Sequence, residues 1–169
     1  MSGADLLIDG FGRIREIVHD VLAGLGDADL QYRVDPQANS IGWEIWHLTR
    51  VQDDHVAGAG GPAQVWLSGG WFERFGLPLD RHDIGYGHRP DEVSLIRAPA
   101  DLLAGYHDAT YEQTVEFVSA LSDDDMAAVV DRRWDPPVTM GVRLVSVIAD
   151  DLEHAGQAAF IRGLIDRRS

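Results

Sequence analysis

Asp150 and His154 stand four residues apart in a stretch whose apolar residues, Leu144, Ile148, Leu152, Ala155 and Ala159, keep a helical period. A step of about 100° per residue places the pair one turn apart, between Val147 at one end and Ala158, Ile161 and Ile165 at the other. Burying a carboxylate without a partner costs several kcal/mol, so this placement calls for a hydrogen bond, an ion pair or a metal. An i, i+4 pair points two donors at one site, as the two His of a helical zinc motif do. A third donor is available on an earlier helical segment, where His47 lies on the line Trp43, His47, Val51 with Asp54 and Gly58 below it. Two imidazoles and one carboxylate leave coordination positions open, the arrangement of a catalytic metal, and zinc, iron, nickel and manganese all accept such ligands. The plainer reading of the same residues is a satisfied core or surface His and an ion pair on a helix face. Asp151 and Glu153 compete for the carboxylate position; the helical arithmetic turns Glu153 outward and leans Asp151 toward the opposite border of the stripe.

Other side chains could contribute around such a centre. Trp43 and Tyr106 could line a substrate pocket, although aromatics on a core stripe are core residues first, and Arg50 could clamp an anionic group, although a helix Arg is ordinarily exposed. His55 could stand behind His47, with an exposed position near a helix end as the competing placement. His82, His88 and His107 have no spacing partner and are read as loop or surface residues, and His19 falls off the stripe of its helix. No catalytic residue beyond the three ligands is identified.

Composition narrows the chemistry. The 169 residues suit one domain, spanning 1–169, with an ordinary core. All 14 basic residues are Arg and 28 are acidic, a balance of −14 that disfavours nucleic acid and anionic lipid partners. No Lys is present to form a Schiff base or cradle phosphate in a P-loop, and no Cys to act as thiolate, disulfide or zinc ligand. Any sulfur chemistry therefore needs a thiol from outside. The start lacks a signal-peptide pattern and no stretch approaches the roughly 18 apolar residues of a membrane span, so the expectation is a cytoplasmic protein with no membrane partner.

Four helices are needed to position the candidates. Leu7, Phe11, Ile14, Val18, Val21 and Leu25 define the first, ending near Gly24 or Gly26. Asn39 and Ser40 open the second, which stops at the Gly58–Pro62 cluster; the third runs from about Pro99 to Leu121; the fourth begins between Thr139 and Val142 and reaches about Ile165. Ser122, Asp123 and Asp124 cap a short turn, and the run from Arg133 to Pro137 is a rigid break. The stretch from Gly58 to Ala100 exceeds any usual helix connection and is rich in aromatics, so it is read as a loop packed across the outside. The fold class is all-α: a four-helix bundle with a long crossover between its second and third helices.

The segments Asn39-Ser40-Ile41-Gly42-Trp43 through Trp46-His47-Leu48, and Asp150-Asp151-Leu152-Glu153-His154-Ala155-Gly156-Gln157, resemble the two signature segments of the DinB superfamily, in particular its mycothiol-dependent branch. The likeness spans nearly the whole chain. It implies a DinB-like bundle with metal ligands His47, Asp150 and His154, where Asp150 departs from the common all-His set and is shorter than the Glu of the family's isomerases. It further implies a divalent metal, zinc first with nickel, iron or manganese as the other candidates, and mycothiol as co-substrate. A homodimer and an actinobacterial detoxification role follow from the same likeness, and the Arg-only, Ala- and Gly-rich composition fits a high-GC genome. The expected function is a mycothiol S-transferase in which the metal activates the small-molecule thiol for attack on an electrophile. Two rivals stay open, a metal-dependent hydrolase using water and a non-catalytic metal-binding protein.

Overall fold

The computed structural model describes residues 2–168. Four long helices form the body: α1 (Gly3–Leu22), α3 (Ile41–Gly58), α7 (Ala100–Ser119) and α9 (Met140–Asp166). Short helices α2 (Asp27–Leu30), α4 (Val65–Ser68), α5 (Trp71–Phe75), α6 (Pro90–Val93) and α8 (Asp123–Ala127) lie in the connections. Strands β1 (Val129–Asp131) and β2 (Val138–Thr139) pair antiparallel just before α9.

Local chemistry sets the helix starts. Ser2 and Asp5 form a capping box on α1, the Ser40 hydroxyl accepts the Trp43 N–H on α3, and Thr139 caps α9 by accepting from Val142. The chain leaves α1 at Leu22, and Gly24 then takes a left-handed turn at φ 72°.

α1 packs against α7 and α9, and α3 packs against the same two, so α1 and α3 are diagonal. Arg15 and His19 both reach Asp108, whereas Gly12 lies against Tyr111, which makes α1 and α7 antiparallel. Gly10 meets Ile148 and Arg162 bonds the Val21 carbonyl, so α1 and α9 run parallel. α3 and α9 are antiparallel, because His154 bonds Glu44 while Arg143 lies beside Asp54. It follows that α3 and α7 are parallel neighbours. Such a pair cannot be joined by a tight turn; the chain must return the length of the bundle, which is the physical reason for the crossover over residues 59–99.

The crossover is more ordered than the loop the sequence suggests, since α4, α5 and α6 lie within it and Val65, Trp66, Trp71, Phe75 and Val93 join the core. It wraps α3 so fully that residues 41–53 are all buried. Its anchor is Asp53, which accepts the N–H groups of Val65 and Trp66, each at 2.8 Å, and the Tyr106 hydroxyl at 2.8 Å.

Three expectations need correction. His107 is not a surface residue: it is fully buried on the inner face of α7, and neither ring nitrogen has a hydrogen-bond partner among the described residues. His88 is also interior, with its side chain 4% exposed. Asp151 stands in the centre of the α9 core stripe, with Leu144, Val147, Ala155, Ala158 and Ile161, rather than at its border. A strip read from periodicity alone is wide enough to be rotated by one residue, and this rotation moves Asp150 and His154 to the flank that faces α3.

Burial pushes the His107 pKa from 6.5 down to about 4. The folded protein therefore takes up this proton near pH 4 and the unfolded chain near 6.5, so the contribution of neutral His107 is complete above 6.5 and is lost as pH falls toward 4. The loss reaches about 3 kcal/mol at pH 4.5. Urea unfolding of His107→Leu should show a shallower fall in stability between pH 7 and pH 4.5 than the wild type, and parallel curves would refute the assignment.

Candidate metal centre

His47 sits in the middle of α3, and its Nδ1–H donates to the carbonyl of Ile84 in the crossover. The contact is close because Gly85 follows at φ 89°, where an added Cβ would come within 2.7 Å of His47 Nδ1 and 2.9 Å of Trp46. The indole of Trp43 stacks on the imidazole at 4.4 Å between centroids. Burial drives the His47 pKa from 6.5 to about 4, only partly opposed by the Ile84 bond, so the ring is neutral at pH 7. With Nδ1 committed as a donor, Nε2 keeps its lone pair.

His154 is arranged in the same way from α9. Its Nδ1 bonds Glu44 Oε2 at 2.6 Å, and the Glu44 side chain is 1% exposed. Burial opposes the charged form of His154, but the hydrogen bond and charge of Glu44, with Asp150 beyond, outweigh it and raise the pKa. On the other side of the ring, Nε2 lies 3.9 Å from Asp150 Oδ2. That oxygen is buried and has no hydrogen-bond partner among the described residues, although the Asp150 side chain as a whole is half-exposed.

One ligand atom from each of His47, Asp150 and His154 lies within 4.8 Å of the others. The two rings meet edge to face, with centroids 4.5 Å apart. These are the features of a site that fits a cation: an orphaned carboxylate oxygen faces two imidazoles whose far nitrogens are fixed by a carbonyl and a carboxylate, the arrangement that orients metal-binding His. The donor set is one that zinc and neighbouring divalent ions accept.

The structure places the other candidates as follows. Trp43 forms a wall of the site, donating its Nε1–H to His88 Nδ1 at 3.1 Å, and His88 in turn bonds Asp83 at 3.0 Å and stacks on Trp46. Arg50 and Tyr106 are fully buried. Arg50 donates to the Asp83 carbonyl and to Gln64, and lies over the Trp66 ring at 4.9 Å, which ties the crossover to α3, while Tyr106 bonds Asp53 and ties α7 to α3. His55 bonds the Val51 carbonyl on its own helix and lines a separate cleft with Asp54. His82 is exposed, and His19 pairs with Asp108 at 2.8 Å. Glu153 faces outward as expected.

Glu44 was missed by the sequence reading. A signal existed: a lone Glu inside Ile41-Gly42-Trp43-Glu44-Ile45-Trp46, three residues before His47 and so on the same side of α3.

On each flank of the triad the seam between α3 and α9 opens. One opening, of about 340 Å³, is lined by Gln37, Asn39, Glu44, Gln157 and Phe160. The other, of about 290 Å³, is lined by residues of both helices and of the β1–β2 hairpin.

No curated protein matches the chain. Among solved structures, a conserved protein from Enterococcus faecalis superposes with a TM-score of 0.88 at 31% identity, over 96% of each chain. The mycothiol S-transferase family model matches residues 6–167, and the chain belongs to that family, with its all-α, DinB-like fold.

Proposed function

We propose that His47, Asp150 and His154 hold a divalent cation, zinc first, and that the protein joins the intact mycothiol, through its sulfur, to an electrophilic small molecule. The observation that carries this reading is the preparation of both imidazoles, each with Nδ1 held by a fixed partner, which leaves Nε2 beside a buried carboxylate oxygen that has no hydrogen-bond partner among the described residues. A divalent cation held by these three residues would supply Lewis acidity, lowering the pKa of a thiol brought to the site toward neutrality. The chain supplies no sulfur nucleophile of its own, having no Cys, so the thiol is a co-substrate. Trp43 excludes water from one side of the triad, and the amide-lined opening at Gln37, Asn39 and Gln157 offers donors and acceptors to a neutral polar group. In the reaction the sulfur forms a bond to carbon, the leaving group departs with its electron pair, and the thiol proton is released.

The family match supports the thiol. Among the described residues no helix is long and apolar enough to cross a membrane. We place the protein in the cytoplasm, where small thiols are kept reduced, and read 1–169 as one domain that assembles as a homodimer in detoxification.

The test is elemental analysis of the purified protein, followed by its reaction with monochlorobimane, whose carbon–chlorine bond breaks as the carbon–sulfur bond forms. About one equivalent of metal and a fluorescence rate, above the uncatalysed background, that requires mycothiol are expected. Metal-free protein, or conjugation no faster than background, would overturn the reading. Hydrolysis of p-nitrophenyl acetate without any thiol would support the hydrolase instead.

A further inference from the structure

The opening of about 290 Å³ beside the hairpin is lined by Arg132, Arg133 and Arg143 together with Asp54, His55 and Asp131. In a chain of net charge −14 this is a local reversal of sign. Asp131, 7% exposed, is committed to aiming two of the arginines: it accepts from Arg133 Nε at 3.0 Å and Nη2 at 2.8 Å, and from Arg143 Nη2 at 2.9 Å. Asp54 is likewise engaged, accepting from Gln64 at 2.8 Å. Arg132 has no partner among the described residues and is exposed to the opening. The N-terminal turn of the 27-residue helix α9, which carries Arg143, has no acidic residue, so the positive end of its dipole adds to the same field.

The position of this opening relative to the triad follows from the helices. Asp54 is seven residues after His47 on α3, and Arg143 is seven before Asp150 on α9. Seven residues make two turns, so each pair shares a face, and because α3 and α9 are antiparallel both steps lead the same way along one seam. The separation is about 10 Å at 1.5 Å per residue.

We propose that the arginine-lined opening is an anion-binding subsite for the second substrate, receiving a carboxylate or phosphate group carried about 10 Å from the electrophilic atom. Planar guanidinium groups suit such oxyanions, which they bind in paired hydrogen bonds. The subsite deepens the S-transferase reading and rests on it for the identity of the reacting atom; the binding of the anion is independent of turnover.

The experiment is a titration of the ¹⁵N-labelled full chain, followed by its amide NMR spectrum, with 4-phenylbutyrate, phenyl phosphate and the neutral 4-phenylbutyramide. Either anion should shift the amides of Arg132, Arg133 and Arg143, and the amide compound should not; which anion binds more tightly distinguishes carboxylate from phosphate. Arg132→Gln with Arg133→Gln, both exposed, should weaken anion binding at least tenfold and leave metal content unchanged. Equal shifts from the neutral compound, no shift from either anion, or undiminished binding by the double variant would overturn the subsite. Anion binding in a protein that conjugates no thiol would leave the subsite standing and refute the S-transferase reading alone.

Discussion

Replacing His154 by Ala should cost about three orders of magnitude in zinc affinity. Structural zinc sites release on the order of 10–16 kcal/mol on binding, so loss of one of three protein ligands removes about 4 kcal/mol, and each 1.4 kcal/mol is tenfold. The measurement is competition against a chromogenic chelator, with far-ultraviolet circular dichroism as the control. The helices should persist, since the core stripe of α9 from Leu144 to Ile161 does not include His154. The substitution also strands the buried Glu44 carboxylate, so His154→Gln, which keeps a donor toward Glu44, serves where Ala lowers stability. Asp150→Asn should lose less than His154→Ala, because a neutral oxygen donor remains. Glu44→Gln should fall between tenfold and a hundredfold, the ordinary effect of removing the carboxylate behind a metal-binding His. Retention of stoichiometric zinc by both His154 variants would refute the site.

The graded series reflects how differently the two layers of this site were written in the sequence. α1 was the most legible of the long helices because it buries one face, with Leu7, Phe11, Ile14, Val18 and Val21 set among solvated positions. The pair Asp150 and His154 was legible from its i, i+4 spacing on α9, although the stripe there was read rotated by one residue and it is Asp151 that interrupts it. Glu44 was harder, because α3 has almost no exposed face over residues 41–53 and its pattern hides which polar groups face the triad. Arg50 and Tyr106 suggested substrate contacts because their partners lie elsewhere in the chain: Asp83 and Gln64 come from the crossover, and the charge Tyr106 meets is Asp53. The placement of His88 depends on Gly85 and Asp83 turning the crossover back onto Trp46, a tertiary fact with no periodic signature. The arginine-lined opening required the β1–β2 hairpin, two short strands that the Arg133–Pro137 break concealed.

Asp53→Ala should be the most destabilising single change outside the ligand set. The Asp53 carboxylate is wholly buried and receives four partners: the N–H groups of Val65 and Trp66, the Tyr106 hydroxyl, and the Arg50 guanidinium at 3.7 Å. Burial pushes its pKa up, while those two N–H groups, Tyr106 and Arg50 act in the opposite sense to hold the charge. Its removal leaves two backbone donors, a hydroxyl and a buried cation without their acceptor, a cost of about 3–5 kcal/mol. For a chain of this size that lowers Tm by about 10 °C. Asn is not a remedy, because its amide would present hydrogens to donors on one side. The effect should reach the metal centre as well: Asp53 pins the start of the crossover, and the same crossover brings the Ile84 carbonyl to His47 Nδ1. Asp53→Ala is therefore expected to weaken zinc binding although Asp53 touches none of the three proposed ligands. If calorimetry showed Tm within about 3 °C of wild type, or if Tm fell while zinc affinity was unchanged, the coupling of the crossover to the site would be wrong. Asp54, its half-exposed neighbour, should tolerate Ala with little change in either quantity, since among the described residues its partners are Gln64 and, more distantly, His55.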